Sequence, residues 1–96
     1  MCIKTVITVV DAVGADVAQA LGVSFDQLRK FLEEHPDVEM QIFRSLQLLV
    51  MKRFDLPYMP PCTDVDALLP LIPKEDLKEI LLSVLKKFKP LIEQAK

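Results

Sequence analysis

Three stripes of apolar residues, each stepping by three and four positions, fix what this chain can become: a set of packed helices. Ile3, Val6, Ile7, Val10 and Val13 form the first, with Lys4, Thr5, Thr8 and Asp11 on the other side. Its β-branched content would suit a strand. Read with period two, however, both faces mix polar and apolar residues, so a strand would have no clean core face. Val38, Ile42, Leu46, Leu49, Val50 and Phe54 form the second stripe, and Phe43, Leu48 and Met51 widen it into the surface of a central helix. Leu77, Leu81, Val84, Phe88, Leu91 and Ala95 form the third, at the spacing of a coiled-coil seam.

Glycine, proline and capping residues punctuate these stripes. The first helix is expected over residues 2–13, ending near Gly14. A short second helix starts at Asp16, with Gln19 reaching back to it, and stops at Gly22. Ser24 and Gln27 form an S-x-x-Q capping box, and Val23 can staple onto Leu28, so a third helix begins at Ser24. It runs to about His35, because Pro36 disfavours helical geometry before it and suits the first turn of a fourth helix over residues 37–54.

Residues 55–63 hold Pro57, Pro60 and Pro61 and form an extended connector that Tyr58 and Met59 pin to the bundle. Thr63 caps a brief helix to about Leu69. Pro73 opens the last helix, with Glu75 and Asp76 in the first turn, where the helix dipole favours carboxylates. Pro90 removes the bond to the Lys86 carbonyl, so this helix kinks or ends near Lys89. The expected fold is all-α: one domain over residues 1–96, a compact bundle of five to six helices. Within it, residues 1–54 and 64–96 are the two helical regions joined by the connector.

Composition narrows the functional classes. Charged or helix-breaking residues interrupt every apolar run well before the ~20 residues of a membrane span. Twelve Lys and Arg stand against fourteen Asp and Glu, six against seven in residues 1–54 and again afterwards, which argues against nonspecific adhesion to nucleic acid or membrane. No basic leader or small-residue cleavage site marks the N-terminus, so a cytoplasmic location is expected, with Cys2 and Cys62 as reduced thiols.

Catalysis finds little to work with. His35 is the one histidine, the cysteines form no C-x-x-C pair, and two glycines cannot build a phosphate-cradling loop. Each carboxylate sits at a helix start or on a polar face, outside the apolar stretches that would raise its pKa for acid–base work. No enzyme activity, metal or cofactor is expected.

Residues 15–32, ADVAQALGVSFDQLRKFL, resemble the helix-turn-helix of bacterial and phage DNA-binding proteins over about a fifth of the chain. Ala18 matches the small residue where the helices touch, Gly22 the turn, and Val23 the apolar residue after it. Val17, Leu21, Leu28 and Phe31 match the buried sides. The resemblance implies a small regulator or accessory factor whose recognition helix presents Ser24, Phe25, Gln27, Arg29 and Lys30 to double-stranded DNA. In that role Arg29 would read guanine or phosphate, Gln27 adenine, Phe25 a thymine methyl, and Lys30 would neutralise phosphate. Asp26 and Glu33 put negative charge on the same face.

A two-fold DNA site would need a homodimer, and Leu77, Leu81, Val84, Phe88 and Leu91 offer the best dimer surface, unless the stripe packs within its own domain. Two other readings stand beside DNA binding. One is a helical module that docks a protein partner through an apolar groove. The other is a lipid carrier. Residues 64–85, DVDALLPLIPKEDLKEILLSVL, resemble part of the insect allergen repeat, a helical lipid-holding fold, although apolar residues followed by proline and acidic residues are common wherever one helix ends and another starts.

Overall fold

A computed structural model describes residues 3–94. They form six α-helices, α1 Ile3–Leu21, α2 Phe25–Glu34, α3 Pro36–Arg53, α4 Cys62–Leu68, α5 Lys74–Leu85 and α6 Lys89–Gln94, with short 3-10 turns before α5 and α6 and no strand among the described residues. The fold is the expected all-α bundle. Its radius of gyration, 12.9 Å, is close to the ~12.5 Å of a compact domain this long.

The first stripe folds as a helix, but Gly14 does not end it. α1 runs unbroken through the expected gap to Leu21, burying Val6, Val9, Val10, Val13, Val17 and Leu21 along one side. Glycine in a helix interior costs about 1 kcal/mol relative to alanine, and the reason for it here is spatial: a Cβ on Gly14 would lie 2.6 Å from Cε1 of Phe25. Gly14 is a notch that lets the start of α2 lie against α1.

The chain turns at Gly22 instead, where φ is +76°. Val23 N–H donates to Ala18 O at 3.0 Å and Gly22 N–H to Gln19 O at 3.1 Å, the paired bonds of a Schellman motif. α2 leaves α1 at 108°. Ser24 caps α2 as expected, and its box with Gln27 is complete. α3 ends in a second Schellman motif, with Leu56 N–H donating to Met51 O at 2.9 Å and Asp55 in the left-handed position at φ 53°.

α1 and α3 share the centre, each packing against the other and against α2, α4 and α5. Tyr58 and Met59 of the connector are half-exposed, but Tyr58 OH donates to Asp64 Oδ2 on α4 at 3.2 Å and Met59 lines a cleft with Met40 and Phe43 of α3. Pro60 is buried, and its carbonyl accepts from Gln47 Nε2 at 2.9 Å. Thr63 does not cap α4, whose N-cap is Pro61. Pro70 and Pro73 keep α4 and α5 apart, and the bundle closes over their junction with Leu69 and Ile72 buried.

α5 gives way to a 3-10 turn at Lys86, slightly before the break expected from Pro90, and α6 then folds against α2 with Ile92 fully buried. The third stripe is spent within the chain. Leu77, Leu81 and Val84 are sealed in the core, Phe88 is half-buried with its ring 5.9 Å from that of Phe31, and of the proposed dimer residues only Leu91 is exposed. A continuous apolar seam for a second copy is therefore missing from α5.

Cys62 is half-buried at the start of α4, while Cys2 lies outside the described residues. Among the described residues, no single helix is long and apolar enough to cross a membrane.

Candidate functional site

The α1–α2 corner carries the residues singled out for DNA contact, and their side chains are largely engaged inside the chain. Ser24 Oγ accepts from Gln27 N–H at 3.0 Å, and Gln27 Oε1 accepts from Ser24 N–H at 2.9 Å. Gln27 Nε2 also donates to Glu93 O on α6 at 3.4 Å, so the amide expected to read adenine is turned toward its own fold. Phe25 is half-buried against the Gly14 notch instead of standing outward.

Arg29 is exposed, with its guanidinium 5.7 Å from the Phe25 ring centroid and Nη1 3.9 Å from Asp11 Oδ1. Lys30 is exposed beside it, but so are Asp26, Glu33 and Glu34. The face thus carries no basic field, and a phosphate backbone is attracted through such a field.

A second surface was not read from the sequence. An open groove of about 330 Å³ runs between the N-terminal half of α1 and the corner where α4 turns into α5. Val9, Leu69, Pro70, Ile72 and Leu77 supply apolar lining, and Lys4, Lys74 and Asp66 supply its charges. Both lysines are exposed, and neither forms an ion pair with a described carboxylate. Asp66 is held by the buried Thr5, whose hydroxyl donates to Oδ1 at 2.6 Å. The carboxylate therefore fastens α4 to α1 at the groove edge.

The local sequence explains the opening. Pro70 and Pro73 forbid one continuous helix, the 3-10 turn between them points Leu69 and Ile72 inward, and the corner stands off α1 far enough to leave a cleft. The cues were the two prolines three residues apart and the lysines at 4 and 74, but nothing in a linear reading brings those lysines to one cleft. No family model, curated protein or solved structure matches this chain.

Proposed function

We propose that this protein binds a small amphiphilic anion, a hydrocarbon chain ending in a carboxylate, in the groove between α1 and the α4–α5 corner. One observation carries the reading: a largely apolar cleft of ligand size with two exposed lysines among its lining residues. Its volume of about 330 Å³ is that of a small-ligand site. One wall of the groove, from residues 66–77, lies inside the stretch that resembles the lipid-holding repeat, and α1 supplies the other.

Calorimetric titration with straight-chain carboxylates tests this. Each added methylene is worth about 0.8 kcal/mol, so affinity rises about fourfold per carbon until the groove is full and then levels off. The matching alcohols bind a few-fold more weakly, and a Lys4→Glu, Lys74→Glu double variant loses that preference. Affinity independent of chain length, or no saturable binding, removes the reading.

A second reading, a DNA-binding regulator, is favoured by the 108° corner closed at Gly22 with Ala18 buried beneath it. Fluorescence anisotropy with random duplex DNA at two salt concentrations tests it. DNA binding requires affinity that falls steeply with salt and drops in an Arg29→Ala, Lys30→Ala variant. Binding that is absent or indifferent to salt excludes it.

A further inference from the structure

On the side of α1 away from that groove, α1, α2 and α3 line a second open cavity, of about 250 Å³. We propose that it is a binding site for an organic cation, an alkylammonium whose head meets Glu39 while its hydrocarbon lies on an aliphatic floor.

The floor is Val6, Val10 and Leu32, all buried, with Ile3 and Ile7 at the side. Glu39 lines the same space. It is 8% exposed, yet its carboxylate has no hydrogen bond or ion pair among the described residues. No side-chain oxygen there is both fully shut off and unsatisfied, so the unpartnered carboxylate of this lining residue keeps some access to solvent.

Burial of an ionised group without a partner is unfavourable, and folded chains normally resolve it with a counter-ion or a hydrogen bond. The dipole of α3 favours acidic residues in its first turn, but the exposed Asp37 already supplies one without burial. What Glu39 adds is charge on the lining of a largely apolar space.

The charges facing it come from all three helices. Asp11 belongs to α1, Arg29 and Glu33 to α2, and Glu39 to α3: three carboxylates against one guanidinium. Arg29 lies 3.9 Å from Asp11, which leaves an excess of negative charge on the Glu33–Glu39 side. Burial first, and the Glu33 charge second, hold the Glu39 carboxyl above its ordinary value. A bound ammonium would reverse both effects by supplying the opposite charge. At about 250 Å³ the cavity suits a short-chain amine rather than a long lipid.

The probe is n-hexylammonium chloride, titrated by calorimetry into the whole chain at pH 8, with hexan-1-ol as the neutral counterpart. An alkylammonium, like a lysine with its pKa of about 10.4, keeps its charge there. The expected result is saturable binding of the ammonium, at least about tenfold tighter than the alcohol. Glu39→Gln, checked for native helicity and cooperative melting, loses about tenfold or more for the ammonium and leaves the alcohol unchanged. Ammonium affinity in the native chain also falls on acidification, as Glu39 takes up its proton.

Equal affinity for the two probes, an unaltered ammonium affinity in the folded Glu39→Gln protein, or no saturation at tens of millimolar would each overturn the proposal. The Lys4→Glu, Lys74→Glu variant leaves ammonium binding intact, which separates this site from the groove.

Discussion

The two glycines of this chain do opposite jobs. Gly22 needs its backbone freedom: φ is +76°, and a Cβ there would meet nothing within 4 Å. Gly14 needs its missing side chain, because Cε1 of Phe25 lies 2.6 Å and Cγ1 of Val10 3.2 Å from where a Cβ would sit. Alanine therefore acts by different routes at the two sites. Gly22→Ala costs about 1–2 kcal/mol through the left-handed backbone alone, whatever stands at residue 25. Gly14→Ala gains about 1 kcal/mol of helix propensity but drives Phe25 out of its notch, for a net loss of about 1–2 kcal/mol. With Phe25→Ala already in place, the same substitution should stabilise the fold by up to about 1 kcal/mol. Urea denaturation of the double-mutant cycle measures this, and a loss at Gly14 that persists without the Phe25 ring would contradict the packing account.

Elements were legible in the sequence where a local signal decided them. The Ser24–Gln27 box set the start of α2, Pro36 the start of α3 and Pro90 the break before α6, each through bonds or sterics a few residues long. Gly14 misled because local cues cannot distinguish a glycine that ends a helix from one that admits a ring from another helix. Thr63 misled similarly, since Pro61 sets up the first turn of α4 without a side-chain cap. Thr5 was assigned to the polar side of α1, yet it is buried and clasps Asp66 across 61 residues of chain. That clasp orients α4 and hence one wall of the groove. Thr5→Val and Asp66→Ala should each cost about 1–2 kcal/mol, and the double variant little more than either alone, because both remove one charge-assisted bond. Additive losses in thermal melts would mean the two residues act separately.

Across the whole molecule, amphipathic periodicity disclosed the core but not the cavities. Each cavity forms between helices whose mutual placement is tertiary, so residues such as Lys4 and Lys74, or Ile7 and Glu39, acquire a shared role only in the folded state. Glu39 is the clearest instance, since a sequence reading counts it as one more carboxylate near a helix start while the fold buries it. The consequence for stability has a definite sign. Its carboxyl pKa is raised in the native state, first by burial and then by Glu33, relative to an ordinary value of 4.5. Between the unfolded and folded values the native state holds more protons than the unfolded chain, so stability contributed by this group is fully present below the unfolded pKa and is lost as pH rises through the folded one. Glu39→Gln removes that slope: relative to the native chain it should gain stability progressively through the window above pH 4.5 and keep a constant advantage beyond it. Denaturation midpoints of both proteins at pH 4 to 8 measure the difference, and a gap that stays flat or narrows with rising pH would show that Glu39 ionises as freely in the fold as in water.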